Sequence, residues 1–171
     1  LINGFLGAAT EIGHISIDVN GRPCDCGNVG CLERYCSTPA IHDTLIADGT
    51  VVPGAADMTH TEAARALFAK AGDGDEAAIA IVREVARYVG YGCVTIFNGY
   101  NPEHIGDIVS EAGPILLDEV RATVAERAIP EINASTSISL STLSADAAVS
   151  GAAAVAVTQF LEHPSVFFDV S

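Results

Sequence analysis

The run Cys24-Asp25-Cys26-Gly27-Asn28-Val29-Gly30-Cys31 limits what this chain can fold into more than any other segment. It has neither helical nor strand periodicity, and Gly27 and Gly30 free the backbone to fold three sulfurs toward one point. Three thiolates leave a tetrahedral zinc ion one ligand short. The nearest candidate for the fourth is His14, ten residues before Cys24, because the turn at Asn20-Gly21 can return the loop alongside it. Such a Cys₃His site would be closed and structural, with Zn–S of about 2.3 Å and Zn–N of about 2.0 Å. Two other readings stay open on the same residues: a reduced surface loop with incidental thiols, and a labile Cys24–Cys31 disulfide. Five cysteines, three of them within eight residues, suit a metal in a reducing cytoplasm better than a disulfide framework. Cys36 and Cys93 read as small buried hydrophobes. His42, His60, His104 and His163 have no partner at ligand spacing.

Around this loop the pattern is that of an α/β lobe. Ile15, Ile17 and Val19 alternate with polar residues, so a strand is expected over 12–19. Leu32 to Ala47 predicts a helix broken near Pro39. Thr59, with Glu62 three residues on, predicts a capped helix start and Gly72 its end. Ile79, Val82, Val85, Ala86 and Val89 recur at helical spacing, in a helix expected to run towards Phe97. A short strand over 105–109, an amphipathic helix over 116–128, a strand over 138–141 and an Ala-rich helix over 146–161 complete the order.

Composition narrows the partners. With 22 acidic and 8 basic side chains the net charge is −14, the wrong sign for a phosphate backbone, so this stretch is not expected to bind nucleic acid. The apolar stretches 79–97 and 145–161 carry charges or glycines and read as buried helices rather than membrane spans. No signal peptide is visible, and a start at Leu1 without Met reads as a piece of a longer protein.

Two acids flank the cysteine loop: Glu11, three residues before His14, and Glu33, two after Cys31. A carboxylate held by a metal-anchored loop can accept hydrogen bonds from sugar hydroxyls in defined directions. Spacing alone equally allows Glu33 to be a helix N-terminal acid and Glu11 a solvated one.

The stretch Gly7-Ala8-Ala9-Thr10-Glu11-Ile12-Gly13-His14, followed by Cys24 through Cys31 and then Leu32-Glu33, closely resembles the signature of the ROK family of repressors, open reading frames and kinases. Asn101-Pro102-Glu103, Ser110-Glu111-Ala112-Gly113 and Gly151-Ala152-Ala153 extend the resemblance over the whole chain. It implies an actin-like, ribonuclease H-like fold of the hexokinase type, in which residues 1–171 form the C-terminal lobe and the sugar lies between two lobes. It also implies structural zinc on His14, Cys24, Cys26 and Cys31, and sugar contacts from Glu11, His14 and Glu33. Homodimers or tetramers are expected, and the apolar tail Val166-Phe167-Phe168 must be covered.

Departures from the signature bear on function. Thr10 stands where the family usually has glycine. Gly106 is followed by Asp107 rather than further glycines, and an acid there would repel ATP phosphates. No residue matches the catalytic base, which belongs to the upstream lobe. The first expectation is therefore the effector-binding part of a sugar-responsive regulator, taking a sugar or amino sugar and contacting DNA only through a domain outside this chain. The second is the C-terminal half of a sugar kinase, which would need ATP and Mg²⁺. The third is a zinc-stabilised interaction domain.

Overall fold

Helices form where local signals dictate them. Residues 11–106 and 113–140, together with Phe5, are described by the computed structural model. Helix α1 (Glu33–Cys36) leads into α2 (Thr38–Asp48), and the break falls at Ser37, whose side chain accepts from the Ala40 N–H at 3.3 Å. Pro39 lies in the first turn of α2, where its missing N–H costs nothing. Helix α3 (His60–Gly72) opens with the expected box: Thr59 caps the Glu62 N–H and the Glu62 carboxylate accepts from the Thr59 N–H at 2.8 Å. That reciprocal pair holds the Glu62 carboxyl below its ordinary range. Thr59→Ala should lower stability by about 1 kcal/mol, read as a drop in the unfolding midpoint.

Helix α4 (Glu76–Tyr100) is the spine, capped by Asp75 through the Ala78 N–H at 2.9 Å. Val82, Ala86 and Phe97 on α4 pack with Leu45 of α2, Leu67 of α3 and Val124 of α5 (Gly113–Arg127) in one buried cluster. Strand β1 (His104–Gly106) pairs in parallel with β2 (Ser137–Ser139), Ile105 opposite Ile138, across a connection made by α5 and the short α6 (Pro130–Ser135). Arg121 of α5 donates from Nε and Nη2 to the Ile138 carbonyl at 3.2 and 2.6 Å, clamping the helix to the sheet.

The balance differs from the α/β expectation, since the described residues are mostly helical with this one two-stranded sheet. The strand expected over 12–19 is not formed. Ile12–His14 is a 3₁₀ turn, and the rest pairs only through a single antiparallel bridge, Ser16 to Cys31. The physical reason is the partner: only Gly30 to Leu32 lie alongside before α1 begins, and Val19 is 83% exposed. Residues 107–112 and 141–171, including Asp107, the expected helix over 146–161 and the Val166–Phe168 tail, lie outside the described residues. No described helix is long and apolar enough to cross a membrane.

Candidate metal centre

The cysteine loop is a tight hairpin. The Cys24 N–H donates to the Asn28 carbonyl and the Gly27 N–H to the Cys24 carbonyl, both at 2.9 Å, while Pro23 bridges Val29. Its base is tied down twice: Gly30 N–H to the Arg22 carbonyl at 2.8 Å, and Ile17 N–H to the Gly30 carbonyl at 2.9 Å. The Leu32 N–H then donates to the Ile15 carbonyl at 2.9 Å, which brings His14 back against the loop.

His14, Cys24, Cys26 and Cys31 meet as one group, their ligand atoms all within 4.8 Å of one another. His14 Nδ1 is 3.7 Å from Cys24 Sγ, and Cys26 Sγ is 3.6 Å from Cys31 Sγ. A tetrahedral site with metal–sulfur bonds of about 2.3 Å has sulfur–sulfur edges of about 3.8 Å, so three thiols and an imidazole fit such a centre after a small contraction. All five cysteines are free thiols, Cys24 and Cys31 among them.

The thiols differ in character. Burial pushes the Cys31 thiol up, helped by the Cys26 thiol beside it. The Asn28 backbone N–H, with Cys24 and Cys31 donating, holds the exposed Cys26 thiol down. For Cys24 the Cys26 backbone N–H pulls down most strongly. The Glu33 carboxylate, burial and the neighbouring thiols together outweigh it and carry that thiol up to about 12. A coordinated divalent cation removes such protons outright.

Glu33 sits at the rim of this group. Its Oε1 accepts from Cys24 Sγ at 3.1 Å and lies 3.6 Å from His14 Nδ1, with the carboxylate side chain 38% exposed. It is also the first residue of α1, so the helix-terminal placement and the placement beside the metal group hold together. Glu11 precedes the 3₁₀ turn, is exposed, and reaches His14 through its own carbonyl, which accepts the His14 N–H at 3.1 Å. Thr10 lies outside the described residues.

Residues that carried no signal in the sequence hold the loop in place. The Tyr35 hydroxyl accepts from the Arg22 N–H at 3.0 Å, and the Arg22 guanidinium lies 5.0 Å over the Tyr35 ring. Leu32 packs so tightly on α4 that a Cβ on Gly92 would come within 2.7 Å of its Cδ2. Beside this contact, a cavity of about 250 Å³ lies between Ile12, Leu32 and Glu33 on one side and Val89 and Ile96 of α4 on the other. Cys93 is buried as expected and Cys36 half-buried, its thiol pushed up to about 12 by burial. His42, unassigned in the sequence, is a satisfied core histidine whose Nε2 donates to the Ala55 carbonyl at 2.7 Å.

Known proteins resemble this chain in sequence and in fold. Glucokinase from Halalkalibacterium halodurans is 32% identical over 88% of this chain and 48% of its own length. The xylose repressor of Bacillus spizizenii is 28% identical over 95% of this chain and 40% of its own. Among solved structures, a ROK family transcriptional regulator homologous to the E. coli MLC protein superposes with a TM-score of 0.70 at 30% identity, covering 81% of this chain and 36% of that one. A ROK family glucokinase from Streptomyces griseus in complex with glucose and AMPPNP gives 0.73 at 28% identity, covering 91% and 53%. The chain thus spans about half the length of the relatives it matches. Its fold neighbours are regulators and sugar kinases alike. Since the ROK family model matches residues 1–159, metal-loop signature included, the chain belongs to the ROK family.

Proposed function

We propose that this chain is the effector-binding lobe of a sugar-responsive ROK regulator, with structural zinc on His14, Cys24, Cys26 and Cys31 and a sugar or amino sugar contacted by Glu11, His14 and Glu33. One juxtaposition carries the sugar site: the partly exposed Glu33 carboxylate lies directly against Cys24 and His14. When bound, zinc supplies a fixed charge that holds three thiolates and one imidazole nitrogen. His14 turns Nδ1 toward the sulfurs, which leaves Nε2 for a hydroxyl, so one side chain serves loop and ligand. Glu33, held against the same group through Oε1, accepts hydrogen bonds from sugar hydroxyls through its other carboxylate oxygen.

Asp107 after Gly106 favours a sensor over a phosphate-binding enzyme, because a carboxylate there opposes ATP. DNA contacts then belong to a separate domain, consistent with the net charge of −14. The second reading, half of an ATP-dependent sugar kinase, is favoured by the glucokinase relative at 32% identity. The two part on the intact protein: sugar-dependent ADP release supports the kinase, and sugar-dependent change in operator binding supports the regulator.

The sugar site has its own test. Calorimetry of the intact protein against hexoses, xylose and N-acetylated amino sugars should find a ligand whose affinity falls ~10–100-fold in Glu33→Gln, the loss expected for hydrogen bonds to a charged group. The melting temperature should hardly change. Equal affinity in the variant would remove Glu33 from the site.

A further inference from the structure

The sulfurs of the metal group are unequally shielded. Cys31 is fully buried and Cys24 is 7% exposed, whereas Cys26, between Asp25 and Gly27 in the turn of the hairpin, is open to solvent. Outside the group, Cys93 is buried and Cys36 half-buried. A small solute therefore meets the Cys26 sulfur first.

A second thiol stands ready beside it. Cys26 Sγ lies 3.6 Å from Cys31 Sγ, near enough for small rotations of the two side chains to close a bond of about 2.05 Å. Cys24 is engaged elsewhere, 3.1 Å from Glu33 Oε1 and 3.7 Å from His14 Nδ1. A Cys24–Cys26 bond would also have to close across Asp25 alone, a ring too small for an unstrained disulfide.

We propose that Cys26 is an oxidation site for hydroperoxides, with Cys31 as the thiol that resolves it, so that the metal loop is also a reversible redox latch. The Cys26 sulfur, a thiolate in the metal-bound loop, attacks one oxygen of hydrogen peroxide. The O–O bond breaks, and the departing hydroxide takes a proton from solvent and leaves as water. Cys26 is oxidised to a sulfenic acid by the two electrons that the peroxide gains. The Cys31 sulfur then attacks the Cys26 sulfur: the S–S bond forms, the S–O bond breaks, and the hydroxide leaves with a proton as a second water. In sum, two thiols and one peroxide give one disulfide and two waters.

The hairpin accommodates the product. Its hydrogen bonds from the Cys24 N–H to the Asn28 carbonyl and from the Gly30 N–H to the Arg22 carbonyl are backbone only and persist. What is lost is the Cys31 thiol's contact with the His14 carbonyl at 3.5 Å, and two of the four metal donors. Cys24 and His14 alone do not close a tetrahedral site. Metal release on oxidation rests on the zinc reading above, and the disulfide does not.

The test exposes the reduced, intact protein to about one to ten equivalents of hydrogen peroxide, quenches by alkylation and maps the cysteines by mass spectrometry, with a chromogenic zinc chelator in parallel. Cys26 and Cys31 should leave the alkylated pool together, at least ~10-fold faster than Cys36 and Cys93, and return with dithiothreitol. Zinc should be released in step with the disulfide. A first disulfide that includes Cys24, oxidation that starts at Cys36 or Cys93, or thiols all still alkylated after about a hundredfold excess of peroxide would each overturn the proposal. A Cys26–Cys31 disulfide in protein that holds no zinc would remove the zinc reading and leave the oxidation site, and full zinc with no disulfide would do the reverse. Every readout is taken on the wild-type chain, so none depends on a variant that must fold.

Discussion

Cys26→Ser should drop bound zinc in the intact protein from about one equivalent to less than about half, and lower stability by ~3 kcal/mol or more, because a structural zinc would contribute folding free energy directly. Cys26 is the informative ligand. It is exposed, so exchanging its sulfur for oxygen removes no core packing, unlike the fully buried Cys31. Any large effect must therefore pass through the metal group that Cys26 shares with Cys31 at 3.6 Å. Cys36→Ser is the control, since that thiol donates to the Leu32 carbonyl at 3.4 Å and stands outside the group. The damage should stay local: α2, α3, α4 and α5 share a core to which no loop cysteine belongs. Sugar affinity should fall with the metal, because Glu33 and His14 would lose their common anchor. Full zinc content in Cys26→Ser, or unchanged stability, would show that the hairpin hydrogen bonds hold the loop unaided.

Gly30→Ala should be the most damaging single methyl in the loop, and Gly27→Ala the measure of why. Both glycines have left-handed backbone, φ +73° and +89°, which a Cβ disfavours by about 1 kcal/mol. Nothing lies within 4 Å of a Cβ on Gly27, so that variant should lose only this amount. A Cβ on Gly30 would instead be driven into the Asp18 carbonyl, a backbone atom held in its turn by the Gly21 N–H at 3.1 Å. The turn must open, and with it the Ile17–Gly30 hydrogen bond that seats His14 beside the sulfurs. A loss of ~3 kcal/mol with reduced zinc occupancy is expected for Gly30→Ala. Thermal unfolding with metal analysis of both variants checks it, and equal effects would show that backbone conformation alone sets the cost.

Much of this was legible along the chain because the signals were local. The Thr59–Glu62 box and the apolar spacing of α4 act within one or two helical turns, and they appear where expected. The metal group was legible for a related reason: ligand chemistry restricts residue type, and a short Gly-rich loop restricts reach. The strand over 12–19 failed because alternation states only which side chains want burial. It is silent about whether a partner of equal length exists, and here the partner gives way to α1 after Leu32.

What the sequence by itself determined is therefore the family signature, the four residues of the cysteine–histidine group, the capped start of α3 and the apolar spacing of α4, all set by covalent proximity and side-chain chemistry. Only the tertiary structure decided that Glu33 turns its carboxylate onto Cys24 and His14, that Leu32 seats the loop on Gly92, and that Tyr35 locks Arg22. The Gly92 contact joins residues 60 positions apart. Glu33 depends on how the hairpin closes against the Ile15 carbonyl. No periodicity or capping rule reaches so far: such contacts follow from packing the whole set of helices at once, and chain spacing does not encode them.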